Sequence, residues 1–194
     1  MRLEDSLLYL ILDSAVGSDA AGFCAASIAG GVDVIHIPAD MSGDEGIVAS
    51  VRDVCRRDDA LFVVSDDADV AVDVESDGLH LSSAAQSVGQ ARAMIGVDGL
   101  VGVSTQAVND AILALEIGAD YLLHWAGTGC PAAFSGLPGA AGSVLFAAGL
   151  SSLDDARAVV DGGVYRLCID SKLLDVDDVT GSAAEFSRVL GRSI

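Results

Sequence analysis

Along this chain, short unbroken apolar runs alternate with longer stretches in which apolar residues recur every three or four positions. The runs lie at 7–12 (LLYLIL), 32–37 (VDVIHI), 61–65 (LFVVS), 78–81 (GLHL), 100–104 (LVGVS), 121–125 (YLLHW), 144–148 (VLFAA) and 165–169 (YRLCI). Strands that are apolar at consecutive positions suit a sheet covered on both faces. Helical spacing occupies 18–29, 44–56, 67–74, 84–94, 106–117, 151–161 and 177–190. Eight strands interleaved with helices predict an α/β protein, a parallel (β/α)8 TIM barrel, compact at about 24 residues per unit. An open doubly wound sheet is the alternative with the same alternation. The sixth unit stands apart. Its connection, AGTGCPAAFSGLPGAAGS at 126–143, is rich in Gly, Pro and Ala and predicts a shortened or irregular βα segment. No linker or shift in composition divides the chain, so residues 1–194 are expected to form one domain.

Composition sharpens this picture. Apolar residues make up 52% of the chain and there are three prolines, which argues against disorder. Aromatics are only 5%, so the core must be built from Ala, Val, Leu and Ile. There are 29 acidic residues against 10 Lys and Arg, a net charge of −19, and Lys172 is the one lysine. Such a surface repels nucleic acid and anionic membranes and leaves a small molecule as the expected partner. It admits a homodimer. The four cysteines, at 24, 55, 130 and 168, lack metal-ligand spacing, which suggests reduced thiols and a cytoplasmic location. The apolar run near the start is six residues long and flanked by acids, too short for a leader core or a membrane span.

In a barrel of this type, function belongs at the C-terminal ends of the strands. That rule selects Asp13 and Ser14, His36 to Asp40, Ser65 to Asp67, His80 to Ser83, Ser104 to Gln106, His124 to Ala126, Ala148 to Leu150, and Asp170 to Lys172. The three histidines, His36, His80 and His124, sit 44 residues apart on even-numbered strands. Meeting in one layer, they would suit a catalytic zinc; the plainer expectation is hydrogen-bonded polar filler at the top of the barrel. Asp66 is a candidate magnesium ligand, whereas Asp67 suits the start of the following helix. The AAGL turn at 147–150 places Gly149 where backbone N–H groups can cradle a phosphate.

The run LFVVSDDADVAVDVESDGLHLSS (61–83) resembles the thiamine-phosphate synthase/TenI family, whose pattern is roughly LF-I-I-N-D-R-x-D-L-A-x-x-x-x-A-D-G-V-H-L-G-Q. LYLILD, GGVDVI, GVSTQ and ALEIGADYLL are similar to further family segments in the same order, so the resemblance spans nearly the whole chain. It implies the barrel fold and a transferase that joins a pyrimidine diphosphate to a thiazole phosphate with Mg2+ held by aspartates. In TenI-type members it implies a thiazole tautomerisation instead.

The chain departs from the family where the resemblance would place cations. A Gln-x-Arg-x-Lys pattern after the second strand is replaced by His36, Pro38 and Asp40; Asn-Asp-Arg becomes Ser65, Asp66 and Asp67. The second metal aspartate aligns with Ala85, a histidine with Gln106, and a phosphate-pocket serine with Asp170, while Ser104 is retained. Two unit charges about 4 Å apart interact by ~4 kcal/mol at an effective dielectric near 20. Exchanging cations for acids should therefore impair or alter the standard coupling, which must stabilise a departing diphosphate. The resulting expectation is a thiamine-related enzyme of changed activity, or a non-catalytic small-molecule-binding pseudoenzyme. His36 and His80 are its candidate catalytic groups, and Ser65, Ser83, Ser104, Gln106, His124, Gly149 and Asp170 its ligand-binding groups. Asp66 remains the candidate Mg2+ ligand, and a metal enzyme built on the histidines is a third possibility.

Overall fold

The computed structural model describes residues 2–83, 88–125 and 144–193. Eight strands, β1 (Leu8–Ile11), β2 (Val34–Ile37), β3 (Leu61–Ser65), β4 (Gly78–Leu81), β5 (Leu100–Thr105), β6 (Tyr121–Trp125), β7 (Val144–Ala148) and β8 (Leu167–Asp170), pair in sequence order into a closed barrel. Every neighbouring pair is parallel, including the closing pair of β1 and β8. Helices α1 (Ala20–Ala29), α2 (Glu45–Arg57), α3 (Ala68–Asp73), α4 (Val88–Ile95), α5 (Val108–Glu116), α6 (Leu153–Asp161) and α7 (Val179–Val189) lie between and after the strands. The molecule is the expected (β/α)8 barrel. The irregular sixth connection, 126–143, lies outside the described residues. Among those described, no helix is long and apolar enough to cross a membrane.

Alternation along each strand splits the core in two. Leu8, Leu10, Ile35, Ile37, Phe62, Val64, Val101, Val103 and Leu122 face the helices. Tyr9, Val34, Val63, Tyr121, Leu123, Phe146 and Cys168 fill the barrel interior. The last strand begins two residues later than the apolar run suggested: Tyr165 is 63% exposed, and Asp170 closes the strand.

Many of the acids have structural work at helix starts. The side chains of Asp19, Asp44, Asp67 and Asp178 each accept a backbone N–H in the first turn of α1, α2, α3 and α7, and Ser152 does the same for α6. These caps satisfy donors that a helix leaves open and complement its dipole. Because every helix starts beside a strand's C-terminal end, the capping carboxylates gather on the mouth side of the barrel.

A second set of aspartates fixes strand register. Asp33, Asp77 and Asp120 each immediately precede an even-numbered strand and reach back to the start of the odd strand before it. Asp33 accepts from Leu7 and Leu8 N–H (2.8 and 3.0 Å), Asp77 from Phe62 N–H (2.8 Å), and Asp120 from Val101 N–H (2.7 Å). Asp33 is buried and also holds Arg192 through two bonds of 2.9 Å, joining the end of the chain to the barrel's base. Asp33→Asn keeps one acceptor but loses the charge, so it should lower stability by about 1–2 kcal/mol. Urea unfolding of the two proteins measures the difference, and an unchanged midpoint would show that the ion pair contributes nothing to stability.

Candidate site at the mouth of the barrel

Counting from these aspartates decides which way the histidines point. His36 lies three residues after Asp33 and His80 three after Asp77, whereas His124 lies four after Asp120. An extra residue in a strand turns a side chain to the opposite face. His36 and His80 accordingly enter the barrel, and their ring centroids lie 5.1 Å apart. His124 shares a face with Leu122, against the helices, and its Nδ1 lies 2.9 Å from Thr105 Oγ1. Burial lowers its pKa, and Asp110 on α5 pulls the other way. The meeting of three imidazoles that a zinc site would need therefore does not occur, and His36 and His80 sit as hydrogen-bonded polar groups at the top of the interior, the plainer of the two expectations. Among the described residues, no group of three or more His, Cys, Asp or Glu is placed to hold a metal ion. As a ligand-binding residue His124 is misplaced too, because it faces away from the interior.

His36 and His80 lie beneath the mouth, only 3% and 2% exposed. The edge of Tyr9 packs on His36 at 5.6 Å and Tyr121 lies 5.7 Å from His80, while the two tyrosine hydroxyls are 3.2 Å apart. His36 Nε2 is 2.6 Å from Ser65 Oγ, and His80 Nε2 is 2.9 Å from Ser104 Oγ. Both Nδ1 atoms are buried without a hydrogen-bond partner. Burial pushes the His80 pKa down to about 3. It also pushes that of His36 well below the ordinary value, helped by neighbouring His80 and opposed by Asp66. Both rings are neutral at physiological pH and are weak bases. The groups they hold toward the mouth are the hydroxyls of Ser65 and Ser104.

The rim is built from turns. Asp66 has a left-handed backbone (φ 58°), donates its N–H to the His80 carbonyl at 2.9 Å and accepts the Ser82 N–H on its carboxylate at 2.8 Å. It thereby ties the ends of β3 and β4 together. Asp67 caps α3, as its position suggested. Ser83 and Gln106 follow β4 and β5 as exposed residues. Gly149 follows β7 with φ 80°, a conformation that favours glycine. Asp170 ends β8, and its carboxylate pairs with Lys172 at 3.2 Å. Ala85 lies outside the described residues.

Trp125, at the end of β6, stood in the strand-end list without being singled out. Its indole N–H donates to Ser104 Oγ at 3.3 Å, and it packs on the barrel interior. A methyl group on Gly149 would sit 3.3 Å from its Cε3. Tyr9 and Tyr121 gave no local signal either, since an aromatic residue in an apolar run does not reveal its face.

The chain matches the family model described as thiamine monophosphate synthase over residues 8–127. It is 33% identical to the thiamine-phosphate synthase of Streptomyces avermitilis, over 97% of this chain and 95% of that protein. It is 34% identical to the thiamine-phosphate synthase of Thermobifida fusca, over 97% and 94%. Among solved structures, a thiamine phosphate pyrophosphorylase from Pyrococcus furiosus superposes with a TM-score of 0.83 at 24% identity, covering 97% of each chain. That superposition speaks to the fold.

Proposed function

Because the chain belongs to the thiamine monophosphate synthase family, with a role related to thiamine biosynthesis, we propose that its standard coupling of pyrimidine diphosphate and thiazole phosphate is impaired or altered. The observation that carries this is the balance of charge at the strand ends. Lys172 is the one cation among the strand-end residues, and Asp170 holds it. Asp66 and the helix-capping carboxylates surround the same end of the barrel. A departing diphosphate needs positive charge and aimed donors as it forms; here it meets carboxylates.

The Mg2+ that the family implies fits this donor set poorly. One oxygen of Asp66 is engaged by Ser82 N–H, and the aligned second position is an alanine with no donor. No catalytic step is assigned through a metal. The buried imidazoles are poor proton acceptors, so the two serines act as polar groups that orient a ligand, with His36 and His80 setting their direction from below. The ligand is a small molecule at the mouth, and buried free thiols at 24, 55 and 168 support a reducing, cytoplasmic setting.

Assay of thiamine phosphate formation from the two phosphorylated substrates with excess Mg2+, beside the Streptomyces avermitilis relative, tests this directly. Losing one attraction of ~4 kcal/mol corresponds to a rate on the order of 10³-fold lower. Turnover within tenfold of the relative would overturn the proposal. A protein that binds thiamine but shows no turnover would favour the pseudoenzyme form of it.

A further inference from the structure

Trp125 is the only tryptophan in the chain, and one edge of its indole is anchored by a hydrogen bond while the other faces a glycine. On the β5 side, its N–H donates to Ser104 Oγ. An indole N–H is a donor only, so Ser104 keeps its own proton for Nε2 of His80, 2.9 Å away. This order gives the indole N–H, the Ser104 hydroxyl and His80 Nε2 a partner each, and it anchors one edge of the ring. On the β7 side, the six-membered ring lies against Gly149, whose missing side chain leaves it room. One side of the indole packs on the interior cluster, yet the residue remains partly exposed. An aromatic surface therefore lies at the mouth between the ends of β5 and β7. Asp170, which ends the strand beyond β7 and pairs with Lys172, and Asp66, just after β3, are among the charges at the same end.

We propose that Trp125 is the platform of a ligand subsite for a flat aromatic cation, which stacks on the indole with its charge offset by the mouth carboxylates. This rests on the conclusion that the mouth takes a small molecule, and it names the chemical class. The face of an indole is electron-rich and attracts cations more strongly than the other aromatic side chains do. A ring anchored through its N–H loses less freedom on stacking than an unanchored one. An anion would meet the same carboxylates as a cost.

Thiamine, with a cationic thiazolium ring, serves as the probe, and the lone tryptophan reports its own site. Saturable quenching of indole emission by thiamine is expected, with none by pyrophosphate. By calorimetry, Trp125→Ala should weaken thiamine about tenfold, Trp125→Phe by threefold or less, and Asp170→Asn about threefold at low salt. Unchanged thiamine affinity in Trp125→Ala, or tighter binding of pyrophosphate than of thiamine, overturns the proposal, and so does an absence of thiamine binding. Should Trp125→Ala lose its fold by circular dichroism, Trp125→Phe and Asp170→Asn decide: failure of Asp170→Asn to weaken binding counts against the proposal. Turnover in the coupling assay would overturn the proposed loss of activity without touching these binding results.

Discussion

Acidification from pH 7 to pH 4.5 is expected to destabilise this protein by about 3 kcal/mol through His80 alone, with His36 adding to the loss in the same direction. In the unfolded chain each imidazole protonates near pH 6.5. In the folded barrel His80 protonates only near pH 3, because burial disfavours its charged form, and His36 is displaced in the same direction. Between those values the unfolded state binds more protons, so stability drops as the pH drops, by about 1.4 kcal/mol per unit for His80, and His36 steepens the slope in the same sense. The penalty is absent above pH 6.5, grows as the pH drops and levels off below the folded pKa. Partial neutralisation of the −19 surface acts in the opposite sense and reduces the net loss. Urea unfolding at half-unit steps from pH 7.5 to 4.5 measures the slope. A His36→Gln/His80→Gln double variant should show a markedly flatter slope, whatever its stability at pH 7. Equal slopes in the two proteins would mean that the imidazoles are already protonated or hydrated in the folded state. Both Nδ1 atoms are buried without a partner, so a charged ring here would carry an N–H with no acceptor in reach.

The second large effect is steric. Gly102, on β5, faces inward and pairs with Tyr121 on β6. A Cβ at Gly102 would fall within the Tyr121 ring. Tyr121 is fully buried, bonded to Tyr9 through its hydroxyl, perpendicular to Phe146 and tilted against His80, so the ring has little room to move. Gly102→Val should cost more than about 3 kcal/mol. For a domain of this size that lowers the melting temperature by roughly 6–12 °C or more. Coupling identifies the cause. Adding Tyr121→Leu, itself destabilising, should cost less in the Gly102→Val background than in the parent, because the two changes share one space. Strictly additive losses would show that the valine acts through backbone conformation and not through the ring.

Much of the fold was legible because its signals are local. Unbroken apolar runs gave the strands within two residues, and helical spacing gave the helices between them, since each pattern depends only on neighbours in the chain. Asp67 illustrates the same point, because a carboxylate before a helical stretch is a cap by its local geometry alone. The candidate site was legible only as a list of strand ends.

What that list could not contain was direction. His36, His80 and His124 look equivalent at a spacing of 44 residues, and nothing in their immediate surroundings separates them. The difference lies in one residue counted from Asp33, Asp77 and Asp120. That count gains meaning only once each aspartate is seen to grip the strand before it. Trp125 is similar: its role depends on Ser104 and Gly149, which lie 21 residues before it and 24 after. The sequence by itself therefore determined the order of elements, the family and the acidic character of the mouth, all of which follow from residue type and periodicity. Only the tertiary structure decided which side chains enter the barrel and which groups they meet. Register across a closed sheet is set by contacts between distant segments, and a shift of one residue reverses a face.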